Sequence, residues 1–380
     1  MFRRTISRLI QRSNSTSAKG IWSDFSKRSP TLSIQNEKIK QGLLEKIPAS
    51  GPESIKHPVV KAAYHSPIAI DETFQEAYKI LEEDAAHKYA KAERLEKEIQ
   101  NAKDPKKIKA LEKQIEVFRV GAENRNPEVL YNSMFGEAEE LDTSQLVYRL
   151  LLKEKWKEYD LMKLMQRLEQ HHVIPDTLPT LEPQVDVQVK FSHNVEEEFK
   201  DWVEPGVILP CFAVEHPPTL KIQEFDHEAG KNGEHSLYTV LLINPDTPDL
   251  EANSFSTTLH YALTNVPLSN TDNTIDAAKL MQIGNDVVLQ DYLPLTPEKN
   301  LHPARACLWV FRQDGELSRD LKVERENFDI RGFVEAHKLL PVGAHMWRQM
   351  FDRSVNAVRE KYGLGKGRVY YKHRSKLPLF

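Results

Sequence analysis

Few residues in this 380-residue chain have types and spacings that could do chemistry. Asp246 and His260 are the acid–base candidates. Asp246 lies in the turn Asn244-Pro245-Asp246-Thr247-Pro248, and His260 in the apolar segment Thr258–Val266. Nothing else completes a catalytic set. The chain has no G-x-S-x-G elbow, no H-E-x-x-H, no phosphate-cradling glycine loop and no C-x-x-C pair. An enzyme is therefore not expected. Cys211 and Cys307 sit in apolar, strand-like surroundings and read as buried free thiols of a reducing compartment. His171 and His172 would point different ways from a helix, so they read as cations near a helix C-terminus rather than as metal ligands.

The element that must position Asp246 is the stretch Leu237–Leu250, LYTVLLINPDTPDL. Six of its first seven residues are apolar or aromatic, the run is short, and turn formers close it. That pattern predicts a strand buried on both faces. Pro245 and Pro248 fix the backbone and are expected to turn the chain out of the sheet at once. Asn244 and Asp246 would then stand at the sheet rim.

Strand, N-P-D-x-P turn and His-bearing strand together resemble the phosphatidylethanolamine-binding protein family. The match continues through DYLPLTP (Asp291–Pro297), CLWVF (Cys307–Phe311) and NFDIRGF…GAHMWRQMFD (Asn327–Asp352). It covers roughly residues 180 to 360, about half the chain. The resemblance implies a β-sandwich with an anion pocket at one end, in which His260 is a pocket histidine. Two positions depart from the family pattern. Asn244 replaces the leading aspartate, and Ala304-Arg305-Ala306 stands where His-Arg-Tyr is usual. A two-residue register shift would bring in His302 instead, at the cost of placing Pro303 inside the strand. The implied site is a vestigial anion pocket of Asn244, Asp246, His260 and Arg305, expected to hold phosphate poorly.

Charge is unevenly spread. Residues 1–20 carry +5 and residues 361–380 carry +6, which leaves −15 for residues 21–360 of a net −4. The first twenty residues contain four arginines, four serines and no acid, with Phe2, Ile6, Leu9 and Ile10 on one helical face. This is the composition of a mitochondrial presequence; a basic surface arm is the alternative. The tail, residues 363–380, interleaves Lys366, Arg368, Lys372, Arg374 and Lys376 with Tyr370 and Tyr371. Such a tail can order on RNA by neutralising phosphates and stacking on bases, or can simply solubilise the terminus. An acidic body excludes a free nucleic-acid binder with a broad basic face.

Between these ends, residues 21–70 read as an irregular, proline-punctuated extension that orders against a partner, with Trp22 as an anchor. Residues 71–173 read as helical. Phe74, Tyr78, Leu81 and Ala85 form one stripe, continued by Ile99, Ile108, Leu111, Ile115 and Phe118 around an antiparallel turn at Asn101–Pro105. Asn126–Asn132 could start a short element. Asp142 with Gln145 could cap a long helix running to His172, with Leu146, Leu150, Tyr159, Met162, Met165 and Leu168 on its buried side. Residues 174–184 read as a proline-rich linker. Residues 185–362 read as the β domain, opened by the alternating strand Val185–Phe191 and closed by a helix from about Met346 to Tyr362.

The expected class is α+β: a helical N-terminal extension, a β-sandwich domain, a C-terminal helix and a basic tail. No stretch of the sequence approaches the eighteen apolar residues of a membrane span. The order of the whole chain, from the basic start through Ile21–Ser26, NPEVLYN and IPDTLPTLEP to Arg359–Val369, resembles the fungal PEBP-like proteins of the mitochondrial large ribosomal subunit. That resemblance implies a structural constituent in the matrix, located in the central protuberance; a free anion- or phospholipid-binding or inhibitory protein of the phosphatidylethanolamine-binding protein type is the alternative. Its partners would be ribosomal RNA and neighbouring ribosomal proteins, with neither cofactor nor small-molecule substrate.

Overall fold

The computed structural model describes residues 20–22, 29–36, 55–65, 67–102, 104–136, 141–225, 236–318 and 321–371. The presequence-like segment 1–19 therefore lies outside the described residues, as do Lys372, Arg374 and Lys376. The chain separates into two compact units, 1–152 and 153–380.

The first unit is helical, and its described elements include α1 (Pro58–Ala63), α2 (Ile70–Asn101), α3 (Pro105–Glu123) and α4 (Pro127–Phe135). Asp104 caps α3 by accepting from the Lys106 N–H, and Pro105 takes the first helical position, where no N–H is needed. α2 and α3 run antiparallel: Lys88 Nζ reaches the Gly121 carbonyl at 2.9 Å and Arg119 reaches Glu96 at 2.6 Å. Ala85 and Ala92 are buried between them, small enough to let the helices close in. The expected stripe fails at Phe74, which is exposed. The reason is length: α2 has 32 residues and α3 has 19, so the first turns of α2 extend beyond their partner helix.

Trp22 covers the next turns of α2. It is buried against Ala85 and Ala122, with its ring edge-on to Tyr78 at 5.2 Å. The tryptophan expected to anchor a partner anchors its own helices. Leu32 likewise packs on Val129, Val147 and Tyr148, and Tyr148 donates to the Thr31 carbonyl at 3.0 Å. Asn126 caps α4. Asp142 accepts from the Ser144 N–H, a turn ahead of the helix that starts at Leu146.

In the second unit, Trp156–Asp160 winds as a π turn ahead of α5 (Leu161–Gln170). The wider turn shifts the helical phase. Leu164 and Leu168, one turn apart on α5, face the core, whereas Tyr159 and Met162, expected to be buried, are exposed; Met162 lies about 200° around the helix from Leu164. The proline-rich stretch 174–184 is no free spacer. Leu178 and Leu181 are buried, and Thr177 accepts from Trp309 Nε1 at 3.1 Å.

Two sheets follow. The smaller is ordered β1 (Val185–Lys190), β3 (Thr219–Glu224), β6 (Thr274–Ile275). The larger is ordered β2 (Ile208–Leu209), β9 (Leu340–Gln349), β8 (Ala304–Arg312), β4 (Ser236–Asp249), β5 (Ser254–Leu268), β7 (Val288–Gln290). Alternate residues of β4 enter different clusters. Val240 and Leu242 join Val187, Val189 and Ile222 of the smaller sheet; Leu241 and Ile243 join Leu164, Leu168 and Leu178. A strand covered on both sides needs the unbroken apolar run seen in the sequence. Gly343 lets β9 approach β1: a Cβ there would lie 2.6 Å from Val185 Cγ2 and 2.7 Å from Val187 Cγ2.

Two boundaries differ from expectation. Met346–Gln349 belong to β9, and the last helix, α6, spans only Val355–Lys361. A short apolar run such as Gly343–Trp347 has no periodicity that separates strand from helix. The prolines after Ile243 do not end β4. Pairing with β8 stops at Ile243↔Cys307, but pairing with β5 resumes after a bulge at Thr247↔Ser256 and continues to Asp249↔Ser254. Once β8 has left, one side of β4 has no ladder to donate to, so prolines are tolerated there.

Candidate functional site

The divergence of β4 from β8 makes the site. Asn244 Oδ1 accepts from the Asp246 N–H at 2.9 Å, an Asx turn that turns the Asp246 carboxylate towards β8. β8 starts at Ala304, so Arg305 is a strand residue, and His302 and Pro303 precede the strand. The Arg305 guanidinium grips Asp246 on two edges: Nη2 to Oδ1 at 2.6 Å and Nε to Oδ2 at 2.9 Å. The Arg305 N–H adds a third bond to Oδ2 at 2.9 Å. Nη1 donates to Asp176 Oδ2 at 2.8 Å and to the carbonyls of His171 and His172 at 2.8 and 3.0 Å. Those carbonyls follow the C-terminus of α5, the negative end of its dipole. Burial works against the guanidinium charge, but Asp246 and Asp176 more than offset it and hold its pKa above the ordinary arginine value.

Beside this cluster lies a cleft of about 390 Å³, lined in part by His171, Phe255, His302 and Arg348. Asn244 and His260 do not line it. His260 is buried on β5, where Nδ1–H donates to the Leu293 carbonyl at 2.8 Å. Burial pushes its pKa down to about 4, with the Arg325 charge acting the same way and the Leu293 bond opposing. The ring is neutral near pH 7 and makes no bond to Asp246. Of the four expected pocket residues, the structure thus joins Asp246 and Arg305, uses Asn244 to orient the turn, and sets His260 apart. Sequence spacing could not indicate Asp176, which is 129 positions from Arg305.

One guanidinium faces two carboxylates and two carbonyls, so an incoming anion would have to displace an acid already in place. Asp246→Ala is expected to cost about 1–2 kcal/mol, because Asp176 and the carbonyls keep Arg305 partly satisfied. Phosphate should then raise the thermal midpoint of the variant and leave that of the parent unchanged. A parent that gains as much would have a pocket already open to anions.

The C-terminal segment is strapped down as far as Tyr371. Arg359 donates to the Gly365 carbonyl at 3.1 Å, the Leu364 carbonyl at 3.2 Å and Thr296 Oγ1 at 3.2 Å. Gly363 and Gly365 take φ of 67° and 65°, the left-handed region that suits glycine. Tyr370 N–H donates to the Lys299 carbonyl, and Asn300 Nδ2 to the Tyr370 carbonyl. Lys366, Arg368 and Tyr371 remain exposed on this strapped stretch.

Among the described residues no group of three His, Cys, Asp or Glu side chains could hold a metal ion. Among them, too, no helix is long and apolar enough to cross a membrane. Residues 199–347 match the phosphatidylethanolamine-binding protein family model. Over 299 residues the chain is 29% identical to large ribosomal subunit protein mL38 of Schizosaccharomyces pombe, covering 77% of this chain and 87% of that one. Two solved structures are similar at 14% identity over 50% of this chain. One is a carboxypeptidase Y inhibitor complexed with its cognate proteinase, 95% covered, TM-score 0.39. The other is a phosphatidylethanolamine-binding protein from Plasmodium vivax, 97% covered, TM-score 0.35.

Proposed function

We propose that this chain, which carries a phosphatidylethanolamine-binding-protein-like domain, is a structural constituent of the mitochondrial large ribosomal subunit and acts in the matrix. The observation that carries the proposal is the extent of the likeness to the Schizosaccharomyces pombe large-subunit protein. It spans 299 residues, far beyond the 199–347 match to the domain family. A relative that shared only the domain would not align across the helical unit. The self-occupied pocket supports a structural rather than a catalytic role: Arg305 is bound by the chain's own acids, and His260 is held neutral.

The finer reading has four parts. The two sheets form a sandwich around their shared cluster. Residues 1–20 act as a presequence. The protein sits in the central protuberance. Lys366, Arg368, Tyr370 and Tyr371, with Lys372, Arg374 and Lys376 beyond them, meet ribosomal RNA. The exposure of Lys366, Arg368 and Tyr371 on a strapped segment supports the last part, since a fixed base lowers the entropy cost of ordering a tail on RNA.

The test is sedimentation of mitochondrial lysate with and without magnesium. The chain is expected to travel with the large subunit and to leave it when the particle falls apart. A chain truncated after Tyr362 should be depleted from the subunit several-fold. A full chain that stays at the top of the gradient in both conditions would overturn the ribosomal role and turn attention to the cleft beside Arg305.

A further inference from the structure

We propose that the cleft between α6 and the glycine-rich stretch 363–369 holds one unpaired nucleotide of RNA, its base on the Phe351 ring and its phosphate on Lys366 and the amides beside it. The cleft measures about 740 Å³, ample for a nucleotide. Its walls come from Glu298 and Lys299 ahead of β8, from Phe351 and α6, and from the glycine-rich stretch. Phe351 is half-buried: it packs on Cys211, Val355 and Val358 and also lines the cleft. Lys299 Nζ stands 6.0 Å from the centroid of that ring. An aromatic ring with a cation beside it is a platform on which any base can stack. The opposite wall suits a phosphate. A Cβ at Gly363 or Gly365 would meet nothing within 4 Å, so that side is open. The N–H groups of Gly365, Lys366 and Gly367 have no acceptor among the described residues. Arg359 and Asn300 already hold the stretch in place, which lowers the cost of ordering it on a ligand.

Both signs of charge enter the choice of ligand. Lys299, Arg359, Lys366 and Arg368 line the cleft against Glu298 and Glu360, so four cations face two acids and the lining carries +2. Residues 21–360 together carry −15, which makes this a local reversal. Arg359 is engaged by the Leu364 and Gly365 carbonyls and by Thr296, and Glu298 accepts the Arg368 N–H at 2.9 Å. Lys299, Lys366 and Arg368 are exposed, with Glu360 the one exposed acid of the lining. A carboxylate side chain of a protein would answer the same charge, but it has no flat face for Phe351; a nucleotide has both. The proposal deepens the ribosomal reading and rests on it for the identity of the RNA.

Fluorescence anisotropy of the full chain with a labelled RNA single strand of about twelve nucleotides, and with the duplex of the same sequence, tests it. The parent is expected to prefer the single strand, whose bases are free to stack. Phe351→Leu, which keeps an apolar side chain on Cys211 and Val358, should weaken the single strand about tenfold and the duplex little, and Phe351→Tyr should bind as the parent does. Lys366→Gln should weaken both RNAs and reduce the salt slope by about one. Equal losses for strand and duplex at Phe351→Leu would make Phe351 a packing residue and overturn the proposal. So would a Phe351→Tyr chain as weak as Phe351→Leu, or a parent with no preference for the single strand. A chain that sediments with the large subunit but fails to bind the strand would overturn the nucleotide cleft alone. A chain that binds the strand with these preferences but stays at the top of the gradient would overturn the ribosomal reading and leave the cleft standing.

Discussion

Glu224→Ala should lower the stability of the sheet-bearing unit by about 3–5 kcal/mol, the range for breaking a buried ion pair from one side. Glu224 ends β3 on the smaller sheet, and its side chain is only 5% exposed. It accepts from the Tyr238 hydroxyl of β4 and from Arg312 of β8. Arg312 also donates to Gln184 Oε1 at 2.9 Å, just ahead of β1. These four groups join the two sheets by polar bonds at the margin of an apolar cluster. Removing the carboxylate leaves the guanidinium with one amide and leaves the tyrosine hydroxyl without its acceptor. Glu224→Gln, which keeps an acceptor for Tyr238 but loses the charge, should cost about half as much. Adding Arg312→Met to Glu224→Ala should recover much of the loss, since no charge is then stranded. Urea melts read at constant m would check this. Equal midpoints for the single and double variants would mean that the stranded charge is not the cause.

The network was invisible in the sequence, and the contrast with β4 shows why. β4 could be read because being buried on both faces forces an uninterrupted apolar run, a local property. Glu224, Tyr238 and Arg312 are polar residues at strand ends, and nothing in their spacing marks them as partners. The Asp246 turn was half legible. Its prolines announced a departure from β-structure, but what they mark is the exit of β8, a tertiary event that leaves β4 paired on one side only. Along residues 146–170 the expected buried set was too wide for one face: Met162 lies about 200° around α5 from Leu164, and both it and Tyr159 are exposed.

The vestigial pocket carries the same lesson into function. The resemblance named positions, and two of them had changed type: Asn244 stands for the leading aspartate and Ala304 for the histidine. The structure adds what surrounds Arg305. Arg305 gathers Asp246, Asp176 and the carbonyls of His171 and His172 after α5 around itself, so it ties the helix end to the sheet. A scaffold within a large assembly has use for such a tie, and no need of an empty anion site.

Acidification should destabilise this unit from about pH 6.5 downwards, and two histidines should account for much of the loss. His260 and His345 are buried, and burial pushes each pKa down from 6.5 to about 4. Each ring donates to a backbone carbonyl, His260 to Leu293 at 2.8 Å and His345 to Val203 at 3.0 Å. In the fold both stay neutral; in the unfolded chain both take a proton below 6.5. The unfolded state therefore binds more protons, so the stability is complete above 6.5 and drains away as pH falls towards 4. Each histidine contributes about 3 kcal/mol to that loss. Asp186 opposes them. Burial, with Asp160 adding to it, raises its carboxyl to about 6, so the fold sheds a penalty of about 2–3 kcal/mol as this acid protonates. The two histidines outweigh the one acid, and the net effect of lowering the pH from 7 to 4 is a loss of about 3–4 kcal/mol from these groups. His260→Asn and His345→Gln each retain an N–H for the same carbonyl and cannot titrate. The urea midpoint should fall from pH 7 to pH 4 in the parent, and in the double variant, where Asp186 is left unopposed among these groups, it should hold or rise. If the double variant lost as much as the parent, the acid sensitivity would lie in the paired carboxylates and not in these rings.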